Sequence, residues 1–375
     1  MITAHAFASI ERIEREQWNA CFPDTLEDWD YYLAVEKAGI EGFEWRYLAL
    51  YEDQQLVAAV PAFITRYSLD TTVQGLARRL SQALARLWPG ALQLGLYALG
   101  SPVAERCEAG VARHLPQVQR ADLLQRLLAL AREDAQRFEI GLLAVKDAPL
   151  AAGEWVQACE QAGLHALPSL PGASLPVGFA CLDDYVGTLG KSTRKDLRRL
   201  LRSPAPQIEW RQQVDDVLPE MMRLYEATLA RSDLQFERLG PDYFTGVLQR
   251  LPGRAACVLY WVDGQLAAFN LLLVDEHRLL DKFFAHDLQR TREHSLYARS
   301  WLANVEYCIR QGISTYECGQ AGYASKMRFG CRFQGNMLFF RHRNWLIDTL
   351  LRLVKRLIRP DRHDPAMAAA ISEHS

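Results

Sequence analysis

Two strand–turn–strand segments constrain the fold of this chain more than any other feature of its sequence. The first covers residues 47–64, where the polar turn Glu52-Asp-Gln-Gln55 separates two apolar runs, and the second covers residues 256–274. Asp263-Gly264 divides the second segment, and an Asp-Gly pair between apolar runs is the strongest short signal for a β-hairpin. A further strand, an amphipathic helix and another strand follow each segment, so the sequence predicts a duplicated unit.

Hairpins argue against a single doubly wound sheet, because parallel strands are joined by crossover connections instead. We therefore predict an α/β (α+β) fold with two domains, each a mixed, mostly antiparallel twisted sheet flanked by helices. Gly312 is the predicted end of the helix in the second half. The predicted elements are strand 94–99, helix 115–137 and strand 138–145 in the first half, and strand 278–285, helix 295–311 and strand 314–317 in the second.

A stretch rich in Pro and Gly, residues 168–178, is the predicted crossing between the domains. The 375 residues of the chain also fit about two domains, at roughly 150 residues each. We place an N-terminal domain at 1–175 and a C-terminal domain at 176–345, and expect the active site in the latter. Residues 346–375 are predicted to form an amphipathic basic helix and a flexible tail.

Composition excludes several classes of function. Lys and Arg number 43 against 45 Asp and Glu, so the net charge of −2 excludes a surface that is basic throughout, and we expect no sequence-specific DNA binding. Eight cysteines without CxxC spacing predict reduced thiols rather than a metal site. The start of the chain lacks a secretory pattern and no apolar run reaches about 18 residues, so the cytoplasm is the expected location.

The segment with the most chemical information is Thr315–Gly330. A strand is predicted to end at Glu317, and Gly319 and Gly322 would form a tight turn that allows close backbone approach. Lys326 would then lie on a short helix. Such a strand end suits an anionic ligand, and the alternative is a plain strand–turn–helix with a solvated lysine.

The letters from Glu317 to Gly330 read E-x-G-Q-x-G-x-x-x-K-x-x-F-G. This run resembles the end of the second domain in FemAB-type peptidoglycan-bridge aminoacyltransferases and their relatives. The similarity covers roughly residues 10–345 and also includes 191–199, 224–231, 242–244 and 266–270. The resemblance implies two GNAT-like domains that transfer an acyl or aminoacyl group to an amine.

The resemblance also implies roles for individual residues. It places Lys326 at the reacting end, where its charge would offset negative charge on the substrate, and Arg231 beside the acceptor. Acyl transfer needs no covalent nucleophile, and Cys318 is either a nucleophile or a small buried side chain. The candidate catalytic residues are Lys326, Glu317 and Tyr323, and the candidate substrate-binding residues are Arg231, Asn270, Gly319, Gln320 and Phe329.

Two features of that family are missing from this sequence. The long helical arm of the aminoacyl-tRNA users is absent, and residues 289–296 stand in place of the pyrophosphate loop R/Q-x-x-G-x-G/A. Acyl-CoA and aminoacyl-tRNA therefore both remain possible donors, and the tRNA-dependent ligase is one alternative function. The acceptor is predicted to be a cell-envelope precursor, a lipid-linked intermediate or a small metabolite. A catalytically silent GNAT-fold recognition module is the non-enzymatic alternative.

Two basic segments complete the sequence-based predictions. Residues 191–202 are predicted to form a helix that either binds phosphate groups or is simply solvated. Residues 345–359 combine an apolar stripe with four cations, which fits a helix on an anionic membrane at the inner face or an ordinary docked terminal helix. Residues 73–88 are a weaker example of the same pattern. The basic residues assigned to substrate binding are Lys191, Arg194, Lys195 and Arg198.

Overall fold

The structure, a computed structural model, describes residues 1–68, 93–232 and 236–355. Its contacts divide the chain into two compact units. The first unit comprises Met1–Glu36, Glu41–Pro171 and the chain from Gln334 onward, and the second comprises Lys37–Ile40 and Gly172–Phe333. The main division at Pro171–Gly172 lies inside the Pro- and Gly-rich stretch of the sequence.

The described strands of the first unit form one mixed sheet in the order β1-β2-β3-β4-β6-β15-β7, and β5 pairs with β3. The strands β4 and β6 are parallel, while the other neighbours are antiparallel. The strands are β1 Ile2–Phe7, β2 Phe43–Glu52, β3 Gln55–Ser68, β4 Gln93–Leu99, β5 Gly110–Val111, β6 Leu142–Pro149, β7 His165–Pro168 and β15 Asn336–His342. The helices are a 3-10 turn Ile10–Arg12, α1 Arg15–Cys21, α2 Trp29–Lys37, α3 Gln117–Arg137, α4 Gly153–Gln161 and α12 Trp345–Lys355.

The second unit contains a mixed sheet in the order β14-β8-β13-β12-β11-β10-β9. The pair β12 and β13 is parallel, whereas β9–β10, β10–β11, β11–β12 and β8–β13 are antiparallel. The strands are β8 Gly172–Pro176, β9 Gln207–Arg211, β10 Ala255–Val262, β11 Gln265–Val274, β12 Arg278–His286, β13 Thr315–Gly319 and β14 Arg332–Gln334. The helices are α5 Leu182–Thr188, α6 Lys191–Arg202, α7 Leu218–Leu229, α8 Pro241–Arg250, α9 Leu288–His294, α10 Leu296–Gln311 and α11 Tyr323–Arg328.

The predicted duplication is confirmed in the topology of the two units. Each contains a hairpin, β2–β3 or β10–β11, then an antiparallel strand, a helix, and a strand parallel to the one before the helix. Both hairpin turns place two consecutive residues at positive φ, Asp53 and Gln54 in one and Asp263 and Gly264 in the other. Such turns match the twist of the strands that they join.

The helices between the parallel strands bury an apolar face, as the sequence pattern predicts. In α3 the buried leucines pack on β2, β3 and β4 around Leu127, which is fully buried. In α10 the fully or almost fully buried side chains include Leu296, Trp301 and Val305, and Gly312 ends the helix at a φ of 71°. Leu127 and Trp301 thus lie in the cores of separate units.

The structure differs from the sequence-based boundaries at two places. Strand β6 is Leu142–Pro149 rather than 138–145, because Phe138 caps helix α3 and Glu139 turns the chain at a φ of 58°. The strand Asn336–His342, which we had placed with the C-terminal domain, pairs with β6 and β7 of the first unit. Phe339 explains this pairing, since its ring is fully buried in the first unit's core.

Three other sequence-based predictions meet the limits of the described residues. The predicted amphipathic stretch at 73–88 lies outside them. The predicted helix at 345–359 is observed as Trp345–Lys355, and its remainder lies outside them, as does most of the predicted tail. Within the described ranges, no helix combines the length and the apolar character needed to cross a bilayer.

Candidate active site

The end of strand β13 and the turn that follows it form the frame of the candidate site in the second unit. Strand β13 pairs with β12 on one side and with β8 on the other, and its pairing with β8 shifts register between Glu317 and Gly319. Gly319, Ala321 and Gly322 then adopt positive φ values of 72°, 65° and 65°. Glycine at two of these positions lowers the strain of a turn that reverses the chain into α11.

The side chain of Lys326 hydrogen-bonds to the backbone of this turn. Its Nζ donates hydrogen bonds to the backbone oxygens of Gly319 at 2.7 Å and Gln320 at 3.0 Å, and only 3% of the residue is exposed. The expectation of an exposed, solvated lysine is therefore wrong. The reason is that Tyr323 and Phe329, both buried at either end of α11, hold this short helix against the unit and turn Lys326 inward.

Asp281 on strand β12 is the functional candidate that sequence reasoning missed. Its Oδ1 accepts a hydrogen bond from the Asn270 amide at 3.0 Å, and its Oδ2 accepts from Asn270 at 3.1 Å and from the Tyr316 hydroxyl at 3.1 Å. The Asn304 amide lies 3.5 Å from Oδ2. Among the described residues, Asn270 is the one donor to Oδ1, so this oxygen keeps a lone pair for another proton.

The environment of Asp281 raises the pKa of its carboxyl to about 6. Burial is the largest cause, and it outweighs the hydrogen bonds from Asn270 and Tyr316 and the positive charge of Lys326, which all favour the carboxylate. Some of the residue remains exposed to solvent. A carboxylate with a pKa near the working pH can accept and release a proton, which is the property of a general base.

A β-bulge next to Asp281 orients its side chain toward these hydrogen-bond donors. The pairing of β11 with β12 shifts register between Leu271 and Leu272, since Leu271 lies opposite Phe283 whereas Leu272 lies opposite Asp281. Bulges of this kind redirect side chains and are common near active sites. The sequence signal that could have identified Asp281 is an acidic residue within the largely apolar strand Arg278–His286. The pKa of its carboxyl, however, depends on groups that are distant in sequence.

Aromatic side chains line the same region. The Tyr297 ring packs on Phe284 at 5.7 Å and on Phe329 at 6.3 Å between ring centroids. Its hydroxyl would lie 3.7 Å from a Cβ placed on Gly322, so Tyr297 adjoins the turn that Lys326 holds. Burial and the charge of Asp281 raise the pKa of Tyr297, and its hydroxyl therefore stays protonated as a potential donor.

The predicted residues near the turn have different environments. Glu317 is partly buried on β13, and the backbone oxygen of Gln320 accepts from Lys326. Tyr323 is 2% exposed, with its ring 5.8 Å from that of Phe333. Phe329 packs 5.0 Å from Trp301, so its observed contacts are those of a core residue.

Two of the predicted substrate-binding residues act on neighbouring protein groups in the structure. Asn270 is fully buried between the Tyr260 hydroxyl, 3.0 Å from its Oδ1, and Asp281, so its observed role is to position the carboxylate. Arg231 is exposed after helix α7, and its guanidinium donates to the backbone oxygen of His286 at 3.0 Å. His286 ends β12, whereas Asp281 lies in the middle of this strand.

Cys318 is buried beside the turn, and burial raises the pKa of its thiol well above the ordinary value. A protonated thiol is a poor nucleophile, so this environment favours the small-hydrophobe interpretation of Cys318. Its Sγ lies 3.6 Å from that of Cys331, on the far side of α11, and both thiols are free.

The basic helix α6 has the predicted bounds, but its cations have unequal roles. Arg194 donates to the backbone oxygens of Gly187 and Leu189 at the end of α5, and Arg198 pairs with Asp183 at 3.2 Å. Lys191 and Lys195 are exposed. The expectation that all these cations face a ligand is thus too simple, because Arg194 satisfies carbonyls that a helix end leaves unpaired.

We expect the two kinds of cation on α6 to respond differently to substitution. Replacing Lys191, Lys195 and Arg202 with Gln should change the free energy of unfolding by less than about 0.5 kcal/mol, since these side chains are exposed. Arg194→Gln should cost roughly 1 kcal/mol through the lost bonds to Gly187 and Leu189. Urea unfolding measures both, and equal effects would contradict the assignment of Arg194 as a structural residue.

Comparisons with known proteins agree with this architecture. FemX has a TM-score of 0.59 with this chain at 13% sequence identity, over 94% of this chain and 100% of FemX. L-PGS from Bacillus licheniformis has a TM-score of 0.52 at 12% identity, over 92% and 97% of the two chains. A tandem GNAT protein from the clavulanic acid biosynthesis pathway has a TM-score of 0.51 at 12% identity, over 91% and 98%.

At these identities the structural likeness establishes the fold, and it confirms the predicted pair of GNAT-like domains. A search of curated protein sequences finds no match to this chain. The family model called FemAB-like, described as peptidoglycan biosynthesis/recognition, matches residues 9–352. This match confirms the resemblance seen in the sequence and supports a transferase of the acyl or aminoacyl kind. The chain therefore belongs to the FemAB-like family.

Proposed function

We propose that this protein transfers an acyl or aminoacyl group from an activated donor to an amine, and that the reaction takes place beside Asp281 in the second unit. The observation that carries the proposal is the partly buried Asp281 carboxylate, which Asn270 and Tyr316 hold in place and whose pKa is raised to about 6. Family membership gives the class of reaction, and Asp281 gives this chain a group that can perform its proton transfer.

The chemistry of the proposal requires a neutral amine. An acceptor amine arrives largely as an ammonium ion at neutral pH, and Asp281 Oδ1 takes the proton that must leave before or during attack. The amine nitrogen then bonds to the acyl carbon while the bond to the leaving group breaks. The nitrogen also loses a second proton, which restores the Tyr297 hydroxyl once Tyr297 has protonated the leaving group. Asn270 and Tyr316 keep the carboxylate oriented during this step.

The oxyanion and the leaving group each need a donor. Tyr297 supplies a hydroxyl that stays protonated, so it is our candidate acid for the departing thiolate or oxygen. Lys326 places a positive charge beside the turn, and its Nζ donates to the backbone oxygens of Gly319 and Gln320 in this structure. Its role in the proposal is therefore to hold the turn and to favour the ionised form of Asp281.

The donor and the acceptor are finer proposals. We favour an acyl-CoA donor over aminoacyl-tRNA, because the described part of the second unit has no long helical arm like that of the tRNA users, although residues 289–296 replace the usual pyrophosphate loop. For the acceptor we propose an amine on a cell-envelope precursor or a small metabolite, which agrees with the description of the family. We place the reaction in the cytoplasm, where such donors occur.

Transfer can be tested with isotope-labelled donors. The purified chain is incubated with labelled acyl-CoAs or a labelled aminoacyl-tRNA pool and with cell-envelope precursors or small amines, and mass spectrometry follows label in the amine product. We expect label to move from acyl-CoA with wild type and to fall by about 100-fold or more with Asp281→Asn. Transfer only from tRNA would select the ligase alternative, and retained ligand without transfer would select the recognition module.

A further inference from the structure

Helix α12, Trp345–Lys355, docks on the first unit through one face only. Leu351 packs against the cluster that contains Phe63 and Phe340, and Asp348 is buried beneath the helix. The Asp348 carboxylate accepts from the His342 backbone N–H at 3.0 Å and lies 2.9 Å from His165 Nε2. These contacts fix which side of the helix faces the protein, and the opposite side is its outer face.

The outer face carries an unusual amount of exposed apolar surface. Leu346, Leu350 and Leu353 are 59%, 57% and 53% exposed, and their spacing places them on one side of the helix. Trp345 is 71% exposed at the start of the helix. Single exposed leucines are ordinary, but a continuous stripe of them marks an interaction surface.

Cations border this stripe. Arg343 precedes the helix and is exposed, and Arg352 is exposed on its flank. Arg352 and Lys355, with His165, line a cavity of about 370 Å³ beside Leu353. Asp348 lies 3.5 Å from Arg352 and also contacts His342 and His165, while half of the Arg352 side chain remains exposed. The border of the stripe is therefore suited to an anion.

We propose that this face of α12 docks on the surface of an anionic phospholipid bilayer. The stripe Leu346, Leu350 and Leu353 would enter the boundary between headgroups and acyl chains, with Trp345 at the same level. Arg343 and Arg352 would contact headgroup phosphates. An apolar stripe bordered by cations is the arrangement of helices that lie in a membrane interface.

The size and the charge of this surface favour a bilayer over a folded partner. A stable protein interface buries about 800 Å² on each partner, and four side chains on an eleven-residue helix offer only part of that area. A bilayer needs no complementary shape, and its anionic headgroups match the exposed cations Arg343 and Arg352. This inference is independent of the transfer reaction, because docking needs no residue of the second unit.

Co-sedimentation of the full chain with vesicles tests the inference. We expect binding to vesicles of phosphatidylglycerol and phosphatidylcholine at low salt, with about 10-fold weaker binding to pure phosphatidylcholine and release at about 1 M salt. Leu350→Ser with Leu353→Ser should reduce the bound fraction at least 10-fold, and so should Arg343→Gln with Arg352→Gln. Thermal melting of each variant must match wild type.

Matched controls separate α12 from other exposed groups. Val118→Ser with Leu150→Ser removes two exposed apolar side chains elsewhere in the first unit, and Lys195→Gln with Arg202→Gln removes exposed cations from α6. Both controls should bind as wild type does. The inference is overturned by absence of binding at low salt, by equal binding of the leucine variant, or by a dimer that needs Leu350 and Leu353 in place of vesicle binding.

Discussion

Lys326→Met is expected to lower the free energy of unfolding by roughly 2–4 kcal/mol, although lysine substitutions are usually harmless. The Nζ of Lys326 donates to the oxygens of Gly319 and Gln320 at a site that is almost closed to solvent. Methionine fills the same space but donates nothing, so both carbonyls lose a bond in an environment where water replaces it poorly. Urea unfolding at neutral pH measures the loss.

Lys195→Met is the matched control for this experiment. It makes the same chemical change on an exposed face of α6, and we expect it to shift stability by less than about 0.5 kcal/mol. Equal stability of the Lys326→Met variant and wild type would show that the turn does not depend on the ammonium group. In that case the role that the family resemblance implies, offsetting negative charge on the substrate, would be the better account of Lys326.

Asp281→Asn is expected to change how stability depends on pH. The pKa of Asp281 is raised to about 6 in the folded protein, whereas a carboxyl of this kind titrates near ~3.9 in an unfolded chain. The folded state therefore holds this proton more tightly. As pH rises from about 4 to 6, the unfolded state loses its proton first, and the contribution of Asp281 to stability falls.

The expected size of this effect is about 2–3 kcal/mol, since each unit of pKa difference corresponds to about 1.4 kcal/mol. Partial solvent exposure of Asp281 makes this an upper estimate. The stability of the Asp281→Asn variant should not fall in this way. The difference in free energy of unfolding between wild type and variant should therefore change between pH 4 and pH 7 and stay constant above pH 7. Asp184→Asn, which removes an exposed carboxylate of α5, is the control for the loss of a surface charge.

A profile for Asp281→Asn parallel to that of wild type would contradict the raised pKa and remove the main support for Asp281 as a base. A changed profile without any loss of acyl transfer would instead leave the pKa intact and make Asp281 a structural carboxylate. Together, the pH profile of stability and the transfer assay show whether the pKa of Asp281 is raised and whether Asp281 takes part in the reaction. In the proposed mechanism, transfer also slows below about pH 6 as Asp281 becomes protonated.

The sequence determined much of the architecture because the relevant signals are local. Polar turn residues between apolar runs predicted both hairpins, and leucine spacing predicted helix α3 to within two residues at its start. Glycines 319 and 322 predicted the turn after β13, since positive φ is a property of the residue itself. Strand β15 was assigned to the other domain because strand pairing is not local, and Phe339 alone does not specify which sheet it enters.

The candidate site depended on tertiary structure to a greater degree. The sequence identified Lys326 and Asn270 but not what they do, because burial decides that Lys326 binds carbonyls and that Asn270 positions a carboxylate. Asp281 is one acidic residue among many until β11, α10 and β13 bring Asn270, Asn304 and Tyr316 around it. Its pKa is set by desolvation and by charges distant in sequence, which no local pattern records.

Helix α12 shows the same division at the surface. The sequence shows the amphipathic pattern and the cations of this helix, so a helix with one apolar stripe was predictable from residue spacing alone. Which side faces the protein was not predictable, because Leu351 lies outside that stripe and can also pack against a sheet. Asp348 and Leu351 decide it through contacts with His342, His165 and the sheet, and they leave Leu346, Leu350 and Leu353 outside. The sequence thus set which elements form, whereas packing between distant segments decided which side chains are buried, ionised or exposed.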